Sequence, residues 1–178
     1  YQLNDKDLDT IFKKFKDLAD KKKQVFEEDL CALIDDQANL DKDVIKLIEV
    51  DVQCGNKEKA QASVSLMIDE KKVISKSTGQ GPIDAIFKSI KKIVPNKSQL
   101  ILYQVNAITK GVDAQAEVSV RLEESGITVL GQGKDIDTMV ASAKSYINAL
   151  NKLLNKRKKI FPQSDWSKIN ESVDKHAI

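Results

Sequence analysis

The chain has 178 residues, 41% hydrophobic and 31% charged, a composition that supports a packed core and excludes disorder throughout. Its 29 basic and 27 acidic residues leave a net charge of +2, so electrostatics give no basis for a nucleic-acid or anionic-membrane partner. No apolar run approaches the roughly 20 residues that span a bilayer, and Tyr1 to Asp9 is polar and acidic where a signal peptide is basic and then apolar; a cytoplasmic protein is expected.

From Asp5 to Asp20, Leu8, Ile11, Phe12, Phe15, Leu18 and Ala19 recur at three- and four-residue steps, the spacing of an amphipathic helix. A second short helix is predicted from Glu27 to Asp36, where an acidic first turn suits the helix dipole. Two helices bury little surface, so residues 1–40 are expected to form a linker subdomain that leans on another domain.

After Asp41 the chain becomes rich in Val and Ile, with two-residue alternation in Ala60 to Ile68 and in Ala114 to Leu122, which predicts strands. Turns are expected at Cys54 to Lys57, Asp69 to Lys72, Lys110 to Asp113 and Glu123 to Gly126, and connections this short favour antiparallel pairing.

Sliding the chain against itself by a little over fifty positions shows an internal repeat. Ala60-Gln61-Ala62-Ser63-Val64-Ser65-Leu66 matches Ala114-Gln115-Ala116-Glu117-Val118-Ser119-Val120, and Gly79-Gln80-Gly81 matches Gly131-Gln132-Gly133. Each copy predicts three strands and a helix, Pro82 to Ile93 in the first and Asp135 to Asn155 in the second. The fold class is therefore α+β: duplicated βββα units with pseudo-twofold symmetry over residues 41–155, with repeats of about 44–94 and 99–155. In the tail, 156–178, Lys156-Arg157-Lys158-Lys159 reads as the solvated end of a helix.

No catalytic centre is expected in this chain. His176 is the single histidine, which argues against a histidine base or a His-built metal site. The carboxylates alternate with lysines as solvated charge, the common nucleophile, phosphate-loop and zinc motifs are absent, and Cys31 and Cys54 read as unpaired thiols. What remains is the pair of Gly-Gln-Gly segments, read as turns before helices whose backbone N–H groups, aided by the helix dipole, can hold a carboxylate. Ala107, Ala114 and Ala116 would leave room beside them, with Leu100, Tyr103, Ile83 and Ile136 as an apolar wall, although residue by residue ordinary core is the better reading of each.

Several segments resemble the C-terminal regulatory domain of 2-isopropylmalate synthases. Phe15-Lys16-Asp17-Leu18-Ala19-Asp20-Lys21-Lys22-Lys23 followed by Glu28-Asp29-Leu30 resembles that family's linker helices, and Gly79-Gln80-Gly81-Pro82-Ile83-Asp84-Ala85 its Gly-x-Gly-Pro-[Ile/Val]-Asp-Ala turn. Ala107-Ile108-Thr109, Gly111-Val112-Asp113-Ala114-Gln115-Ala116 and Asp137-Thr138 leading into Ala141-Ser142-Ala143-Lys144 are similar to further segments, from Leu3 to about Leu154 in all.

The resemblance implies a parent acyltransferase of leucine biosynthesis, condensing acetyl-CoA with 2-oxoisovalerate in a barrel that would lie upstream of Tyr1 and hold the divalent metal. It implies no cofactor in this fragment. It also implies a homodimer through the regulatory domain, with leucine bound at the interface as a feedback inhibitor. The effector contacts carried over are Gly79, Gln80, Gly81, Ile83, Asp84, Leu100, Tyr103, Ala107, Ala114, Ala116, Ile136 and Thr138, with Gln80 where family members carry Asn. Two alternatives stay open: an isoleucine-binding domain of a citramalate synthase, whose ligand differs only in the branching of one methyl, and a purely structural dimerisation domain.

Overall fold

Alternating small and branched residues build the strands. Ala60, Ala62, Val64, Leu66 and Ile68 all point to one side of their strand and are buried, as are Ala116, Val118, Val120 and Leu122 in the second half. The computed structural model describes residues 5–21, 30, 33–34, 43–107 and 115–160. The chain divides into two units, residues 1–43 and 44–178, each described by itself.

In the first unit α1 spans Asp5–Lys21, matching the expected helix, with Ile11 buried and Leu8 and Phe12 exposed. The second expected helix, Glu27 to Asp36, lies largely outside the described residues. In the second unit the order is β1 (Ile45–Gln53), β2 (Ala60–Ile68), β3 (Lys71–Gly79), α2 (Pro82–Ile93), β4 (Gln99–Ala107), β5 (Ala116–Glu124), β6 (Ile127–Asp135) and α3 (Thr138–Ile160). The strands form two three-stranded antiparallel sheets, β1-β2-β3 and β4-β5-β6. The duplicated βββα architecture is thus present.

Both second hairpins close through two left-handed residues, Asp69 (φ 46) with Glu70 (φ 66) and Ser125 (φ 51) with Gly126 (φ 78). Such turns match the twist of the flanking strands. The first strand of each sheet carries an irregularity just after a leucine paired with a leucine of the middle strand, between Leu47 and Glu49 in β1 and between Leu100 and Leu102 in β4. The extra residue is an exposed isoleucine in both, Ile48 and Ile101.

α2 starts on Pro82, has Asp84 in its first turn and Lys91 and Lys92 in its last, and so complements its own dipole. It ends at Val94, whose N–H donates to the Ile90 carbonyl at 2.9 Å, because Pro95 cannot continue the helix. Its apolar side, Ala85, Ile86, Ile90 and Ile93, lies on the first sheet. Each of the three buried isoleucines contributes about 1.5–3 kcal/mol.

α3 is buried on nearly every side from Ala141 to Asn155. It packs on β6 and β5, and also against β1 and α2 of the first half. On α3, Asn151 accepts the Ile45 N–H at 3.0 Å and donates to the Ile45 carbonyl at 2.9 Å, so one side-chain amide stands in for a neighbouring strand. The buried Glu124 accepts the Lys97 N–H at 2.5 Å and pairs with Arg157. Arg157 therefore ties the end of α3 to β5 and to the connection between the halves, and the basic run is not simply solvated.

Two sequence expectations need correction. The strand expected over Ala114 to Leu122 runs from Ala116, and the second helix begins at Thr138 and continues to Ile160. A two-residue slip keeps every side chain on its face, so alternation alone does not resolve it. The other correction concerns glycine. Gly79 ends β3 and Gly81 caps α2, but Gly131 and Gly133 lie inside β6 and are not a turn before a helix. A Cβ on Gly131 would stand 2.7 Å from the Ala149 Cβ, and one on Gly133 2.9 Å from the Lys144 Cβ. These two glycines let α3, with Ala141, Ser145 and Ala149 facing them, approach the sheet closely.

Candidate functional site

Tyr103 in the middle of β4 joins the two halves. It pairs across the ladder with the buried Val120, which puts its ring on the helix side of the sheet. The ring meets Phe87 of α2 edge-on at 6.0 Å, and Phe87 stacks on Tyr146 of α3 at 4.4 Å. The Tyr103 hydroxyl shares a hydrogen bond of 2.8 Å with the Ser142 hydroxyl, which also donates to the Thr138 carbonyl at 2.6 Å. Burial pushes the Tyr146 phenol up, with hydrogen bonds from Ser98 and Asn96 acting against it.

Helix geometry then places both helix starts near this tyrosine. Gly81 lies six residues before Phe87 and Thr138 four residues before Ser142, a rise of about 9 and 6 Å respectively at 1.5 Å per residue. Ile83, one turn before Phe87 on the same face of α2, is half-buried against the core.

The two starts differ chemically. At α2 the N-cap is Gly81, with no side-chain cap. Asp84 instead reaches back, its Oδ2 accepting the Gln80 N–H at 2.9 Å and the Lys88 ammonium at 2.8 Å. The Lys88 hydrogen bond, then the Gln80 amide, hold its carboxyl below the usual range. At α3 the start is acidic: Asp137 Oδ1 accepts the Met139 N–H at 2.7 Å, an ordinary aspartate cap. Asp135 pairs with Lys144 at 2.7 Å and accepts the Asp137 N–H at 3.0 Å, and these hydrogen bonds, that to Lys144 first, lower its pKa.

The expected effector residues fall into three groups. Gly79, Gln80, Gly81, Ile83 and Asp84 form the α2 start, with Gln80 exposed and Gly79 closed in against Ala85. Ala107 pairs directly with Ala116, and Ala116 with Asp135, so both alanines lie at the end of the second sheet where Ile136 and Thr138 begin α3. Tyr103 and Leu100 make the third group, but only Tyr103 is central. Leu100 pairs with Leu122 near the opposite end of β4, roughly 20 Å from Ala107 at 3.3 Å per residue. It is 46% exposed, and Ile136 is 67% exposed, so neither forms a closed wall within one chain. Ala114 lies outside the described residues, as do Cys31, His176 and the whole Lys110 to Asp113 turn.

Sequence reading missed Phe87, Ser142, Tyr146 and Asp137. The spacings Ile83 to Phe87 and Thr138 to Ser142, each one helical turn, are the signal that relates two of them to residues already singled out. Nothing local indicates that the two helices meet.

The model of the LeuA allosteric (dimerisation) domain family matches residues 24–154. The chain is 42% identical over 162 residues to a 2-isopropylmalate synthase of Afipia carboxidovorans, covering 91% of this chain and 31% of that protein. It is 46% identical over 159 residues to one of Bradyrhizobium sp. (strain ORS 278), covering 89% and 30%. With one of Caulobacter vibrioides it shares 44% identity over 164 residues, covering 92% and 31%. The chain spans about a third of the length of these relatives.

Proposed function

The chain belongs to the LeuA allosteric (dimerisation) domain family, and on that premise we propose that it is the feedback-sensing part of a 2-isopropylmalate synthase, taking leucine where two copies meet. The parent reaction, condensation of acetyl-CoA with 2-oxoisovalerate in a metal-dependent barrel, belongs to the same proposal.

The observation that carries it is the position of Tyr103 between Phe87 of α2 and Ser142 of α3, helices whose starts are of unlike character. The α2 start offers first-turn N–H groups and a glycine N-cap without a side-chain cap, beside an Asp84 carboxylate already neutralised by Lys88, which suits a carboxylate. The α3 start presents Asp137, which suits an ammonium. Asp84 is a poorer partner for the ammonium, because Lys88 already neutralises it. Tyr103, Ile83 and the paired Ala107 and Ala116 supply apolar surface with room for a branched chain. In this reading the zwitterion bridges the two helix starts, and binding changes how they are held relative to each other.

Calorimetric titration of the chain with leucine, isoleucine and valine tests the reading. A saturable signal strongest for leucine supports it. A preference for isoleucine transfers the site to the other branched-chain pathway, and flat traces for all three leave a structural dimerisation domain. Tyr103→Ala removes the ring that both helices touch and should weaken leucine binding about tenfold or more with the circular dichroism spectrum retained. An unchanged affinity would take Tyr103 out of the pocket.

A further inference from the structure

Of the four edge strands, three carry the charges that keep a sheet edge from pairing with another chain. β1 has Lys46, Glu49 and Asp51, β3 has Lys71, Lys72 and Lys76, and β6 has Lys134 and Asp135. Helix side chains also reach the backbone of these three: Asn151 at Ile45, Lys92 at the Lys76 carbonyl, Asn148 at the Gln132 N–H and Lys152 at the Leu130 carbonyl. β4, Gln99-Leu100-Ile101-Leu102-Tyr103-Gln104-Val105-Asn106-Ala107, has neither a charge nor a proline.

The contrast with β1 is residue by residue. Aligning the two bulges sets Lys46, Glu49 and Asp51 of β1 against Gln99, Leu102 and Gln104 of β4. Both strands thus had the same outward positions available, and only one filled them with charge. β4 is also apolar on both faces, with Leu100 and Val105 exposed on the helix side and Leu102 on the other. An exposed, uncharged edge that is apolar on both sides is a liability for a solitary chain.

We infer that β4 pairs antiparallel with β4 of a second copy, fusing two three-stranded sheets into one of six strands. A strand that pairs with its own copy makes a self-complementary twofold contact, and the absence of charge removes like-charge repulsion across the axis. The regular stretch after the bulge, Leu102–Ala107, is the part available for it. The inference rests on the dimer reading above and adds which surface forms it. It also has a consequence for the ligand: pairing centred near Tyr103 and Gln104 brings Leu100 of one copy beside Ala107 of the other, two residues that a single chain holds at opposite ends of the strand.

The test transplants β1's charges onto β4. Leu102→Glu with Gln104→Asp is compatible with the fold, since β1 carries those residues at the matching positions, and neither residue belongs to the candidate site. Sedimentation of the 178-residue chain should show a dimer for the parent sequence and a dimer dissociation constant raised by about a hundredfold or more for the double variant. An unaltered dimer in the variant would overturn the β4 contact and leave the dimer reading intact. A parent chain that stays monomeric would remove that reading, and the β4 contact with it. Should the variant fail to fold, hydrogen exchange of the parent chain decides: backbone amides of 102–107 should be slower at concentrations that favour the dimer. Concentration-independent exchange there in a demonstrable dimer would sink the proposal.

Discussion

The two βββα halves share strand order, strand length, a left-handed two-residue turn and a bulged first strand, yet their helices stand in different surroundings. α2 lies over one sheet and keeps Lys88, Lys91 and Lys92 in solvent, whereas α3 is covered nearly all round, by its own sheet on one side and by β1 and α2 on another. The first strands show the reverse. β1 is held by α3 through Asn151, while β4, the equivalent strand, is left largely bare among the described residues. Duplication thus gave two similar units, and packing them in one chain broke the symmetry. The second helix became the shared core, and the second sheet was left with an open edge.

The largest way to break this comparison is at the glycines of β6. Gly131→Val should cost about 3 kcal/mol or more in chemical denaturation, because the added side chain drives into the Ala149 backbone and pries α3 from its sheet. Gly81→Ala, in the segment of identical sequence in the first half, should be nearly neutral for stability, since a Cβ there meets nothing within 4 Å. Equal effects at the two positions would restore the equivalence that the fold denies.

Asn151→Leu comes next. It leaves the Ile45 N–H and carbonyl without their partner at a buried site, and a loss of about 2 kcal/mol is expected in the same measurement. Faster hydrogen exchange should follow in β1, with that in the β5–β6 hairpin little changed.

Smaller, and of opposite sign, is Glu70→Gly. It gives the first hairpin the glycine that the second has as Gly126, relieving a left-handed residue with a side chain, and should stabilise by about 0.5–1 kcal/mol. No gain in the thermal midpoint would mean that Glu70 is not strained there.

The smallest effect concerns the two helix starts, which share an aspartate–lysine pair, Asp84 with Lys88 and Asp135 with Lys144. Both carboxyls titrate below the ordinary 3.8 in the folded chain, so their contribution is present above that value and is lost as pH falls through the lowered ones. Because these groups are largely exposed, solvent screens them and the contribution is small. Replacing both by asparagine should lower stability slightly near neutrality, and the two proteins should converge as pH falls below 3.8.

Much of the fold was legible because its causes are local. The alternation in 60–68, the proline that opens α2 and the three-and-four spacing of α1 each act within a few residues, and these elements stand where the pattern put them. The repeat announced two βββα units for the same reason. Of the candidate site, the sequence named residues that the fold brings to one junction, Tyr103, Ile83, Ala107 and Ala116 surrounding or adjoining it, while Leu100 does not reach it within one chain. The misreading of Gly131-Gln132-Gly133 as a second turn shows where locality stops. Two identical tripeptides took different roles, one at a helix start and one under a helix, because only the second has α3 lying across it. Sequence determines which residues can turn, alternate or cap. Which glycine a helix approaches, which strand it covers and which edge it leaves bare depend on contacts between segments far apart in the chain, and only the packed tertiary structure decides them.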